Sequence, residues 1–195
     1  MRKTLAAAAA LLLSGGPAMA ETPQGHLDLY YVPSSKFDIT VPGVGSGEDD
    51  GDGFGVKGMA PLSEFTVLTG EYQSIGYDAG FDVDQMRIGA GFMGEGGGGV
   101  MVEYVDVDEG LEADGFGVHL RLGGGNFYGQ VGYLMLDGGD EDVTGPEFAL
   151  GFAADVSPNA GVFVDARRSM IEGEDSNVEV ELTDIRAGVR FRFGR

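Results

Sequence analysis

His26 and His119 are the two side chains of this sequence that titrate near neutral pH without perturbation, and cysteine is absent. A hydrolytic site would need one of them beside a Ser, Asp or Glu within reach of substrate. No local motif supplies such a neighbour. The glycine run 94–99 is interrupted by Glu95 and is followed by no Lys-Ser or Lys-Thr, which excludes a phosphate-cradling loop. Carboxylates are the abundant reactive group. Glu48-Asp49-Asp50-Gly51-Asp52-Gly53 is their densest cluster, and oxygen ligands on a Gly-rich segment suit Ca²⁺ or Mg²⁺. The Asp-x-Asp-x-Asp-Gly spacing and distal Glu of an EF-hand are missing. Glu48, Asp49, Asp50 and Asp52 are therefore divalent-cation candidates without a defined coordination sphere. The alternatives are a hydrated, self-repelling surface and loose cation bridging to a second anionic surface.

The acids as a whole gather in five segments, 34–52, 74–83, 107–114, 137–145 and 169–182, in which Lys36 is the only basic residue. With a net charge of −20, the chain would repel a phosphate backbone, so nucleic-acid binding is excluded. Basic residues follow a different rule. Lys57, Arg87, Arg121, Arg167, Arg186, Arg190 and Arg192 lie among apolar alternations, on the same side as Asp28, Glu71, Glu103, Glu147, Asp155, Asp165 and Asp184. If that side is enclosed, the charges must pair, because an isolated buried ion costs several kcal/mol.

The elements that would position these groups are strands. Apolar/polar alternation predicts ten of them, at 26–33, 53–62, 64–73, 84–93, 99–106, 115–122, 126–136, 146–156, 160–168 and 183–193. The last is the clearest: Ile185, Ala187, Val189, Phe191 and Phe193 share one side, and Arg186, Gly188, Arg190 and Arg192 the other. In 64–73 the pattern conflicts, since Phe65 and Val67 share a side with Glu71, which points to another register or a bulge. Connections after odd strands are the five acidic segments, read as long loops. Those after even strands are short and neutral.

The first twenty residues read as a secretory leader. Arg2 and Lys3 precede an apolar run at 5–13, and Ala18-Met19-Ala20 is a small-x-small cleavage site, so the exported chain is expected to begin at Glu21. No later stretch approaches the ~20 apolar residues of a membrane-spanning helix. Without cysteine there is neither a lipid anchor nor a disulfide framework. The expected organisation is a leader, 1–20, and one domain, 21–195. Long connections at one end, tight turns at the other and strands of about nine to eleven residues fit an all-β, closed antiparallel up-and-down barrel crossing a membrane. A soluble barrel, with the apolar side inward, is the competing reading. Against it stand Tyr30, Tyr31, Tyr72, Tyr104, Tyr133, Phe191 and Phe193 near strand ends and glycine recurring on the polar side. The chain has no tryptophan, a departure from the usual interfacial girdle.

The leader, the hairpin spacing, the Asp/Gly-rich connections and the closing Ala187-Gly188-Val189-Arg190-Phe191-Arg192-Phe193 strand resemble the small outer-membrane β-barrels of Gram-negative bacteria, the outer-membrane-protein-A-like and opacity-porin-like domains. The resemblance implies residence in the cell outer membrane among lipids and lipopolysaccharide, as a monomer without cofactor. It also implies a final strand read by the barrel-assembly machinery, with Phe191 and Phe193 at its end. Ten strands are expected, with eight as the alternative. On this reading Lys57, Arg87, Glu103, Arg121, Asp165, Arg167, Arg186, Arg190 and Arg192 form a charge network in the lumen. That network either plugs the barrel, whose interior is just filled at about eight strands, or lines a thin anion-favouring conduit. His26 and His119 are expected towards the periplasmic side, so the function is read as non-enzymatic: membrane integrity or surface interaction through the acidic loops. A narrow channel is the alternative, and an outer-membrane hydrolase the least favoured.

Overall fold

A computed structural model describes residues 24–108, 112–124, 126–139 and 141–193. The leader expected at 1–20 lies outside the described residues. Ten strands form: β1 (Gly25–Val41), β2 (Gly45–Pro61), β3 (Thr66–Tyr77), β4 (Asp82–Met93), β5 (Gly99–Asp108), β6 (Ala113–Gly124), β7 (Phe127–Asp137), β8 (Asp142–Ser157), β9 (Ala160–Gly173) and β10 (Glu179–Phe193). Each pairs antiparallel with its sequence neighbours, and β1 also pairs with β10, from Gly25 opposite Phe193 to Thr40 opposite Glu179. The sheet therefore closes with no free edge. This is the expected up-and-down barrel, and the eight-strand alternative falls.

The two faces separate as the alternation requires. Phe191 and Phe193 are about half exposed on the outer wall, whereas the Arg190 and Arg192 side chains turn inward and are 11% and 15% exposed. Leu29, Ile88, Val102, Val118, Leu150 and Val164 continue the same outward apolar wall around the barrel. A soluble barrel would have the opposite polarity. Along β10, Ile185 to Phe193 covers roughly 26 Å at ~3.3 Å per residue. A strand tilt of ~40° projects this to about 20 Å, close to the ~25 Å apolar band of a membrane barrel.

Three expectations are corrected. First, the acidic segments are not long loops: β1 and β2 are each 17 residues long and are joined by 42–44 alone, and β9 and β10 are joined by 174–178. Only nine to eleven residues are needed to cross, so the strands continue into water, where backbone pairing needs no apolar outer face. Glu48, Asp49, Asp50 and Asp52 thus sit on β2, not on a loop. Second, β3 is regular in both ladders, with no bulge, and its inward residues are Val67, Thr69, Glu71, Gln73, Ile75 and Tyr77. Val67 and Glu71 do share a side; the apparent conflict arose from treating the interior as wholly polar. Third, Tyr30 is not an interfacial aromatic. It is 5% exposed and packs edge-on against Phe163 inside the barrel.

The one bulge in β1 falls at Val32-Pro33-Ser34-Ser35, where the pairings with both β10 and β2 shift. Pro33 has no N–H to give to a ladder. After the bulge the inward phase resumes at Ser35 and continues through Phe37 and Ile39.

Candidate functional site

The strands bring three layers together inside the wall. The middle layer is ionic. Arg87 on β4 donates twice to Glu147 on β8, at 2.8 and 2.6 Å, and Ser169 donates to the same carboxylate at 2.8 Å. Arg186 on β10 bridges Glu71 (2.7 Å) and Asp165 (2.5 Å), and Lys57 on β2 reaches Asp165 from across the lumen at 2.6 Å. Arg167 joins Glu71 (3.3 Å) to Asp184 (3.2 Å), and Asp184 also accepts from Gln73 and Ser35. Tyr30 donates to Glu71 at 2.8 Å, and Tyr128 donates to Asp165. Below this layer Arg190 forks onto Asp28 at 2.8 and 2.7 Å, and Arg192 pairs with Asp155 at the periplasmic end. Paired geometry of this kind offsets the desolvation of groups this deeply buried.

Of the expected network, Lys57, Arg87, Glu103, Asp165, Arg167, Arg186, Arg190 and Arg192 all enter ion pairs. Arg121 points inward but stacks on the Tyr128 ring, 4.1 Å from its centroid, instead of joining them. The hydrogen-bonding contributions of Tyr30, Ser35, Gln73, Gln85, Tyr77 and Ser169 were not anticipated. Inward parity within each strand was the available signal, but partners are set by register: Tyr30, Ser35, Gln73 and Ser169 meet carboxylates of other strands, Tyr77 meets Ser35, and Gln85 accepts from Arg87 of its own strand.

Glycine gives this layer its room. A Cβ on Gly132 would overlap the His119 ring, one on Gly151 the Tyr128 ring, and one on Gly55 the Tyr30 ring. His119 is fully buried, with Nε2 3.3 Å from Glu103 and Nδ1 3.7 Å from Glu147. Both carboxylates lie close, yet neither ring nitrogen has a hydrogen-bond partner among the described residues. His26, at the periplasmic end, has its Nε2 4.0 Å from Asp28. A space of about 90 Å³ remains in and below the ionic layer, bounded by residues such as Lys57, Glu71, Arg87, Arg121 and Arg190.

The layer above is apolar. Phe37, Tyr77 and Phe81 pack together on the β1–β4 side, the last two stacked at 4.9 Å. On the opposite side, Val107, Leu134, Leu136, Ile171 and Val180 line a cavity of about 540 Å³.

The outer wall carries its own boundary marker. Tyr31, Tyr72 and Tyr104 each donate a phenol hydrogen bond to an aspartate on the next strand, Asp52 (2.7 Å), Asp84 (2.9 Å) and Asp114 (3.0 Å), and Tyr133 donates to Thr144 (3.2 Å). Tyrosine sits at a membrane interface with its ring in the apolar zone and its hydroxyl in water. Acids lie above this line. Asp50 meets Lys36 at 3.6 Å, and Asp49 accepts from the amide of Ala79 at 3.0 Å. Among the described residues, no three His, Cys, Asp or Glu side chains converge as a metal centre. Glu141 accepts from the Ser176 hydroxyl and from the amides of Ser176 and Asp175, which together hold its carboxyl below the usual glutamate range.

This closed wall has a counterpart among solved structures. The outer membrane protease OmpT from Escherichia coli superimposes with a TM-score of 0.57 over 91% of this chain and 99% of that one, at 10% identity. The chain has the fold of an outer-membrane β-barrel. Neisserial surface protein A (TM-score 0.45, 14% identity, 87% of this chain and 97% of that one) and the translocator domain of the autotransporter NalP from Neisseria meningitidis (0.43, 15%, 97% and 95%) are further structural neighbours of the barrel. No protein-family model and no curated protein sequence matches it.

Proposed function

We propose that this outer-membrane barrel is a non-enzymatic, non-conducting protein that supports envelope integrity and meets external molecules through its acidic outer hairpins. The observation that carries this reading is the ionic layer, in which Arg87–Glu147, Arg186–Glu71 and Lys57–Asp165 tie together strands three or four apart around the barrel. The space left within and below that layer is about 90 Å³ and is bounded by the paired side chains themselves. His119 is walled in by Glu103, Glu147 and the glycines it overlies, away from any substrate.

On this reading residues 1–20 direct export, the mature chain starts at Glu21, and Phe191 and Phe193 present the closing strand to the assembly machinery. The belt surrounds every strand, which suits a monomer in lipid. Above the tyrosine line, Asp49, Asp50 and their neighbours face lipopolysaccharide of like charge. Divalent cations shared between the two surfaces would relieve that repulsion without an ordered site.

The test is planar-bilayer recording of purified, refolded protein, with folding checked by heat-modifiable gel mobility. Silence across preparations is expected. Reproducible unitary openings would replace this reading with the narrow anion-favouring channel.

A further inference from the structure

We propose that the outer half of the lumen is a binding cup for a single-chain cationic amphiphile. The cup is the ~540 Å³ cavity lined by β5 to β10, walled by Val107, Leu134, Leu136, Val143, Ile171 and Val180. Its volume lies within the ~300–1,000 Å³ typical of small-molecule sites. The floor is polar: Gln85 and Ser169 cap the ionic layer, where Ser169 is already committed to Glu147. An occupant therefore enters tail first only as far as that floor.

The length of the tail follows from the wall. From Leu134 on β7 to Gly138 just past its end, the chain advances roughly 13 Å at ~3.3 Å per residue, or about 10 Å of depth at the ~40° tilt. An extended alkyl chain gains somewhat over 1 Å per C–C bond of ~1.5 Å, so on the order of eight carbons fill that depth and a ten-carbon tail reaches the mouth. An aliphatic lining with a few polar groups at its ends fits a flexible hydrocarbon better than a hydrogen-bonding metabolite.

The sign of the headgroup follows from the rim. Glu141 lines the mouth and is kept ionised by its bonds to Ser176 and the 175–176 amides. Asp137, Asp142 and Glu172 lie beside it on the outer face of the ladder, and Glu174 and Asp175 in the adjoining connection, so they add their field from outside the mouth. An anionic head would meet repulsion there, and a cationic one attraction. The barrel would thus hold the tail in a dry socket and the positive head among carboxylates, outside the lipid.

The test uses the full barrel in phosphatidylcholine nanodiscs, titrated calorimetrically with decyltrimethylammonium below its micelle concentration and corrected for empty discs. One saturable site per barrel is expected. Ala113→Phe, which fills the cup from β6, should weaken binding by at least about tenfold through lost tail burial. Val143→Phe supplies the same obstruction nearer the rim, so the result does not depend on one variant folding. Glu141→Gln should weaken binding about threefold and flatten its salt dependence. Partitioning equal to that of empty discs, or unchanged affinity in both Phe variants, overturns the cup. Tetramethylammonium binding as tightly as the decyl compound does so too. Decyl sulfate binding as tightly overturns the assignment of a cationic head.

Discussion

Arg87 and Glu147 show how little freedom a lumen residue has: both are almost wholly buried, and each compensates the charge of the other. Arg87→Ala strands a carboxylate, and the expected loss is about 3–5 kcal/mol, read as a lowered denaturant midpoint. Arg87→Met combined with Glu147→Leu removes both charges and should lose much less. If the single and double variants unfold together, the pair is not structural. Arg190→Ala tests the same logic at Asp28, the lower fork. Space is as strict as charge. Gly132→Val would drive a side chain into the His119 ring, so a loss of about 1–3 kcal/mol is expected from overpacking. Sequence alone exposed the charged members of this layer, because charge at every second position of an apolar strand is conspicuous. It did not single out Gly132 or Gln73, which matter only through what faces them from other strands.

At the scale of the elements, the outer hairpins are the feature least visible beforehand. The 34–52 segment reads as a loop because acids and glycines dominate it, yet Phe37 and Ile39 alternate with Asp38 and Thr40, and those two turn into the outer core. Val180 and Leu182 carry the same signal on β10, and Val178 just before it. The paired 35–41 and 45–51 amides should therefore resist hydrogen exchange well above the lipid boundary, where a loop would exchange freely. Rapid exchange throughout 35–51 would restore the loop reading. The hairpin ends are coupled through Glu141, whose carboxyl is lowered chiefly by the Ser176 hydroxyl. A lowered carboxyl contributes stability that is present above its unfolded value and lost as pH falls through the folded one. The Asp175 and Ser176 amide signals should accordingly titrate together, with a midpoint below the ordinary ~4.3 of glutamate. Glu141→Gln should abolish that titration.

The whole molecule is organised by height. Lipid-facing apolar residues end at the tyrosine line, ions hold the middle of the lumen, and an apolar chamber with acidic lips faces outward. Ile88→Arg, on the belt, should cost about 2–4 kcal/mol, whereas the same change at Val44, in the outer turn, should cost about 0–1. Equal effects at both sites would contradict the membrane assignment. Which residues share a face was decided by the sequence itself, because a period of two is written locally in residues such as Ile185, Ala187, Val189 and Phe191; that ten strands close and that this face turns outward was decided by the tertiary structure. Partnership was decided only by the closed structure. Ser35 meets Asp184 across 149 positions, and Arg190 meets Asp28 across 162. The register of the intervening strands determines which inward side chains share a height, and therefore where the lumen is salt, where it is oil and where it is left open.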